Sequence, residues 1–254
     1  MTLIVDDRYT HLRRQLLDIP LFFAEERGRL LQDARNQIRL VDIDGYPIVI
    51  NRFRKRDFIG QLKHTFFRKH KARRAYENSQ ELIRRGFHTP YPIAYLEERR
   101  CGIIKQVYYA CEYTDAQAVS TWLTDRKEFD REFAKAYASF VAALHEKGVM
   151  HRDLNPLNTL YAEHYFQLID VNRMRFFDGL VPKRKCMEEW FLFWWISDVW
   201  IYLIREYASI RHWTEDDISL AIELKQQHDE NWIKTGKYNK TIFGEMQYPP
   251  KTTI

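Results

Sequence analysis

The chain has 254 residues, 45% of them apolar and 30% charged, and a formal charge of +5. That mixture excludes a disordered chain and suits one large domain or two lobes, and the modest positive excess favours an anionic partner without naming it. Three scattered cysteines, Cys101, Cys111 and Cys186, form no C-x-x-C pair, which argues against a disulfide scaffold or zinc ribbon and for the reduced thiols of a cytoplasm. Met1 to Asp7 lacks the basic flank and apolar run of a secretory signal.

Residues 8–24 predict a short helix that stops near Pro20. Three short strands follow, at about 28–33, 36–43 and 46–53, and Asp44-Gly45 signals a tight hairpin between the last two. Residues 52–74 hold ten Lys or Arg against one acid, Asp57. Phe58, Leu62 and Phe66 recur at i+4 and give this basic stretch a narrow apolar stripe. An anionic membrane surface, a solvated face packed on the domain and a nucleic acid are all readings of such a segment; the density of charge favours an anionic partner.

Lys71 to Arg85 predicts a helix ended by Gly86, with Glu77 inside it. Thr89-Pro90-Tyr91-Pro92 is a turn, and strands are expected at Ile93–Glu97 and Ile103–Tyr113. From Phe129 to Lys147 runs an amphipathic helix with Phe133, Ala136, Tyr137, Phe140, Val141 and Leu144 on one face. His145-Glu146 resembles the start of H-E-x-x-H, but the next histidine is His151, too far along to share a helical face, so zinc is not expected.

Residues 151–158 read His-Arg-Asp-Leu-Asn-Pro-Leu-Asn and fit H-R-D-L-x-x-x-N, the catalytic-loop signature of protein-kinase-like enzymes. A second acid, Asp170, follows Leu168-Ile169. Phosphoryl transfer needs such a set: Asp153 where the attacking hydroxyl loses its proton, Asn158 and Asp170 as oxygen ligands for Mg²⁺ bridging the nucleotide phosphates. His151 is expected to brace the loop from the core. Asp198, in a helix near 188–208, either stands where protein kinases place an acid that braces the loop backbone or is an acid at the wet edge of a buried helix. The apolar run Trp190–Ile204 is too short and too polar at Ser197-Asp198 to span a bilayer and predicts a buried helix. A last helix is expected near 214–229.

The motif assigns expectations to the N-terminal half. The turn Asp33-Ala34-Arg35-Asn36 would roof the phosphates without a glycine, through backbone amides or Arg35. The lysine slot of the third strand falls on Asn51, with Arg52 one residue away on the opposite face. Glu77 is the candidate partner for a third-strand base, and Cys111-Glu112-Tyr113 would be the hinge whose backbone bonds an adenine. After Asp170 the chain reads Val171-Asn172-Arg173 in place of D-F-G, and no Ala-Pro-Glu precedes the next helix.

These residues resemble the lipopolysaccharide kinase family (the Kdo/WaaP group), its Kdo-kinase-like branch in particular. Asp153-Leu154-Asn155-x-x-Asn158 is similar to that family's D-L-N-x-x-N, Phe66 to Glu77 to its F-F-R-K…K-A-x-R-x-x-E stretch, and Gly86 with Thr89-Pro90-x-Pro92 to its G-x-x-T-P-x-P turn. The resemblance covers about 35–190. It implies an α+β, bilobed protein-kinase-like fold in a single domain: a small antiparallel N-lobe sheet over about 25–112, a hinge at 113–116 and a mainly helical C-lobe over 117–254. It implies ATP and Mg²⁺, Asp153 as base, Asn158 and Asp170 as metal ligands and Glu77 as the helix glutamate. It further implies phosphorylation of a Kdo or heptose hydroxyl on the lipopolysaccharide inner core, in the cytoplasm at the inner membrane. Lys63, Arg68, Lys69, Lys71, Arg73 and Arg74 would form the basic patch for that anionic glycolipid or the membrane surface; nucleic acid is not expected. Asn51 in the lysine slot keeps a catalytically impaired pseudokinase as the alternative, with an atypical protein kinase behind it.

Overall fold

The computed structural model describes residues 1–34, 36–53, 69–123, 128–162, 164–193 and 195–234. The chain divides into two compact units, Met1–Ala116 with Ala162–Met174, and Gln117–Tyr161 with Arg175–Ile254.

The first unit is built on a six-stranded sheet. Its strands are β1 (Thr2–Val5), β2 (Arg29–Asp33), β3 (Asn36–Ile43), β4 (Tyr46–Phe53), β5 (Pro92–Arg100) and β6 (Ile103–Glu112), in the spatial order β1-β5-β6-β4-β3-β2. All the recorded pairings are antiparallel. Asp44 and Gly45 turn β3 into β4 with φ of 52° and 83°, the left-handed pair a two-residue hairpin needs. Alternation then fixes the faces. Ile48 and Ile50 point into a cluster with Leu12, Leu16, Ile19, Phe22 and Phe23, whereas Phe53 joins Ala72, Ala75, Tyr76 and Tyr109 on the other side.

The first cluster corrects two expectations. Pro20 does not end a helix: it lies in the first turn of α2 (Ile19–Ala24), where its missing N–H costs nothing. A 3-10 turn (Asp7–Leu12) and α1 (Arg13–Leu16) precede α2. Together these segments cover one face of the sheet, and β1, unforeseen in sequence, extends its edge beside β5. The opposite face carries α3 (Lys71–Arg84), which buries Ala72, Ala75, Tyr76, Ser79 and Leu82. β10 (Tyr165–Leu168) also belongs to this unit, through a bridge between Gln167 and His88.

The second unit is mainly helical. Asp130 caps α4 (Arg131–Glu146) by accepting the amide of Phe133 at 2.9 Å. β7 (Gln117–Ala118) pairs with β9 (Thr159–Ala162) at Tyr161 and Leu160, and β8 (Val149–Met150) pairs with β11 (Arg175–Phe176). The single helix expected near 188–208 is two: α5 (Lys183–Glu189) and α6 (Asp198–Ile210), with a 3-10 turn at Trp190–Leu192 after the first. The break buries both Trp190 and Trp200, whose indole N–H donates to the Trp190 carbonyl at 3.1 Å. α7 (Glu215–Lys234) closes the described chain; its Lys225 is buried, bonded to Asp229 at 2.6 Å and to the Phe191 carbonyl at 3.0 Å. No described helix is long and apolar enough to cross a membrane.

Candidate active site

The loop after β8 is held from beneath. The buried carboxylate of Glu189, the last residue of α5, accepts the main-chain amides of His151 and Arg152, each at 2.7 Å. Two charge-assisted bonds to consecutive amides fix the chain direction where Arg152 turns through φ 65°. The loop then folds on itself. Asn155 N donates to the Asp153 carbonyl at 2.8 Å, Leu157 N to Asn155 Oδ1 at 2.9 Å and Asn158 N to the Asn155 carbonyl at 2.9 Å. Leu154 is fully buried and anchors the loop, while Asp153, Asn155 and Asn158 are half-buried beside it.

Asn158 Nδ2 donates to the Asp153 carbonyl at 2.9 Å. The amide nitrogen is thereby committed, and Oδ1 is the side chain's acceptor. An amide oxygen, like a carboxylate, is a donor that suits a hard cation such as Mg²⁺ and not zinc. Asp170 lies in the other unit, exposed, in the left-handed region at φ 53° and ψ 41°, and accepts a short bond from the Asn172 amide. Among the described residues, no three His, Cys, Asp or Glu side chains group as a metal cluster.

Glu189 has its own support. His145 Nε2 lies 3.8 Å from Glu189 Oε2, and His145 Nδ1 shares a 2.6 Å bond with the Tyr207 hydroxyl. Burial works against an imidazolium here, but the hydrogen-bonding partners Cys186 and Glu189 outweigh it and push His145 up to about 9. The loop's acceptor is therefore Glu189. Asp198, expected in that role, lies exposed in the first turn of α6, whose cap is Ser197. His151 is buried, as a brace would be.

On β4, Asn51 stands opposite Tyr109 of β6, on the face shared with α3. Its Oδ1 is buried and has no hydrogen-bond partner among the described residues. Arg52 points the other way, its guanidinium 4.9 Å over the Phe23 ring, so it does not fill the lysine slot. From α3, Ser79 bonds this face: its hydroxyl shares a 2.9 Å bond with the Tyr109 hydroxyl.

Glu77 takes other partners: Lys69 Nζ at 2.7 Å and Arg73 Nε at 2.8 Å, neither on the third strand. At about 100° per residue it stands roughly 160° around α3 from the buried stripe, facing away from the sheet. Burial pushes its carboxyl up, but the bonds from Lys69 and Arg73 win and lower it. These pairs also tie up two members of the expected basic patch. Lys71 sits 5.7 Å over the Phe53 ring, and Arg74 is half-buried on α3. Lys63 and Arg68, like the Phe58-Leu62-Phe66 stripe and Arg35, fall outside the described residues.

Two amides of the expected hinge are committed as well. Glu112 N donates to the Tyr91 carbonyl at 2.9 Å and Tyr113 N to the Pro47 carbonyl at 3.0 Å. The Glu112 carboxylate accepts a short bond from the Tyr9 hydroxyl. Neither amide is a donor left over for an adenine. Glu189, Ser79 and Tyr9 were not foreseen as site residues. A lone acid at a helix end and a hydroxyl on a buried stripe carry no local signature, because their partners are distant in sequence.

The model of the lipopolysaccharide kinase (Kdo/WaaP) family matches residues 48–178. No curated protein matches. Among solved structures, WaaP in complex with acyl carrier protein superimposes with a TM-score of 0.59 at 15% identity, covering 90% of this chain and 99% of that one. WbdD, in a co-crystal with the kinase inhibitor LY294002, matches with a TM-score of 0.46 at 16% identity, covering 82% of this chain and 49% of that one. The likeness to WaaP shows a shared kinase-like fold.

Proposed function

The chain belongs to the lipopolysaccharide kinase (Kdo/WaaP) family, and from that premise we propose that it transfers the γ-phosphoryl group of ATP to a Kdo or heptose hydroxyl of the lipopolysaccharide inner core. Asp153 takes the proton from the attacking hydroxyl, and Asn158 and Asp170 hold Mg²⁺. The bound ion would neutralise charge on the phosphates being transferred. The single observation that carries this reading is the loop itself. Glu189 clamps its start, and Asn158 fixes its end through the Asp153 carbonyl, so a carboxylate and an amide oxygen are presented at set positions on one rigid turn. Preorganisation of that kind is what phosphoryl transfer asks of a protein.

Lys69, Lys71, Arg73 and Arg74 remain the described candidates for meeting an anionic glycolipid or membrane surface in the cytoplasm. Residual charge is scarcer there than the sequence alone suggests, since Glu77 pairs with two of them.

The test is direct. Protein incubated with labelled ATP, Mg²⁺ and lipid-A-linked inner core should move label to the glycolipid. Asp153→Ala should lower that rate by about 10²–10⁴-fold, the usual contribution of a general base. Transfer that survives the substitution would count against the mechanism. One observation favours a second reading, a nucleotide-binding pseudokinase: the lysine slot holds a neutral Asn51 with a buried, unpartnered oxygen. Nucleotide binding with no transfer to any acceptor would select it, and label on protein alone would select an atypical protein kinase.

A further inference from the structure

Among the described residues, neither Asn51 nor Arg52 of the third strand forms an ion pair with Glu77 of α3. Asn51 is neutral, Arg52 faces the opposite side of the sheet, and Glu77 is bonded to Lys69 and Arg73 away from it. Yet α3 is firmly placed. His70 caps its first turn, accepting the Arg73 amide at Nδ1, and its Nε2 meets the buried Glu97 carboxylate at 2.6 Å. Ser79 ties its middle to Tyr109.

From that position α3 reaches the segment that carries Asp170. Asn78 Nδ2 donates to the Val171 carbonyl at 2.8 Å, an acceptor shared with the Met174 amide at 3.1 Å. Val171 and Asn172 are buried, so the segment is packed as well as bonded. This matters because Asp170 occupies the left-handed region, which strains a residue with a Cβ, though Asp less than most. Asn172 restrains the Asp170 side chain, and Asn78 restrains the Val171–Asn172 peptide, one residue further on.

We propose that Asn78 is a positioning residue: its amide, and not an ion pair, transmits the placement of α3 to the backbone that presents the Asp170 carboxylate to a divalent cation. The metal role rests on the kinase reading above; the restraint on the loop does not. The link is neutral, so screening by salt should leave it intact.

Hydrogen exchange of the Val171–Met174 amides in the free protein tests the restraint. Mn²⁺ binding followed by its spin-resonance signal, with a non-hydrolysable ATP analogue present, tests the metal role. Asn78→Leu should speed exchange about tenfold, weaken Mn²⁺ about tenfold, and leave transfer recoverable at high Mg²⁺, as expected for one lost hydrogen bond. Asn78→His retains a donor and should stay near the unsubstituted protein. If Asn78→Leu does not fold, Asn78→Asp carries the test: it keeps the shape, sets an acceptor against the carbonyl, and should behave as the leucine variant was expected to. Unchanged exchange and Mn²⁺ affinity in the folded variant overturn the proposal. So do equal losses in Asn78→His. An unsubstituted protein that binds no metal nucleotide would overturn the kinase reading and the metal role together, while exchange would still decide whether Asn78 fixes the loop.

Discussion

Glu189 and His145 form a buried pair whose charge state reaches the loop after β8 through the main-chain amides of His151 and Arg152. Replacing Glu189 with Gln removes the charge and sets an NH₂ against amides that also donate. The cost should be about 3 kcal/mol of stability, the scale for breaking a buried pair on one side. His145 has its pKa raised from about 6.5 unfolded to about 9 folded. Its contribution is therefore fully present below about pH 6.5 and is lost as pH rises through about 9, on the order of 2–3 kcal/mol in all. Urea melts between pH 6 and 10 should show that decline, and His145→Gln should flatten it. A slope unchanged in His145→Gln would mean that another group is responsible, with Tyr207, whose hydroxyl burial pushes up, the nearest candidate; the Cys186 thiol is held down and would give the opposite slope.

Among the elements, the β2–β3 pair depends on a glycine. Gly28 has φ +73°, and a Cβ added there would lie 2.3 Å from the Leu40 carbonyl oxygen. The clash is with backbone, so no side-chain rotation relieves it. Gly28 also offers its carbonyl to the buried Arg39 guanidinium at 3.3 Å, beside the carbonyls of Glu26 and Arg27. Gly28→Ala should cost about 2–3 kcal/mol, combining strain at a special φ with a displaced strand. A denaturant midpoint that does not move would show that β2 can detach from β3 without harm to the rest.

For the whole molecule, a ligand that binds only the folded state adds stability by mass action. MgATP at about 100 times its dissociation constant should contribute about 2.7 kcal/mol to unfolding free energy, visible as a raised thermal midpoint. Asn51→Lys should strengthen that response by about tenfold in affinity if its ammonium reaches the phosphates. The same substitution places a charge where Asn51 Oδ1 now lies buried, so a fall in midpoint without nucleotide should accompany the gain. A variant that loses stability and gains no affinity would show that this slot is not where the phosphates bind. The family match spans both units, which is why a nucleotide effect is expected on the whole unfolding transition.

The fold of the 151–158 loop was legible because its bonding is local: Asp153, Asn155 and Asn158 bond to one another within six residues, and their order in the chain is their order in the turn. The β3–β4 hairpin was legible for the same reason, since Asp44-Gly45 fixes the turn and alternation fixes the faces. Register alone also placed Arg52 on the face away from Asn51. What α3 does with its polar residues was not readable. Periodicity marks a buried stripe, but Glu77, Asn78 and Ser79 are consecutive and point three ways: Glu77 bonds Arg73 one turn back and Lys69, whereas only packing against β6 and the Asp170 segment gave Ser79 and Asn78 their partners. The choice of Glu189 over Asp198 was likewise made by tertiary structure, because a carboxylate's partner 38 residues away leaves no trace in the local pattern. Short-range hydrogen bonding and side-chain period are written in the sequence; long-range pairing depends on where two distant segments come to rest.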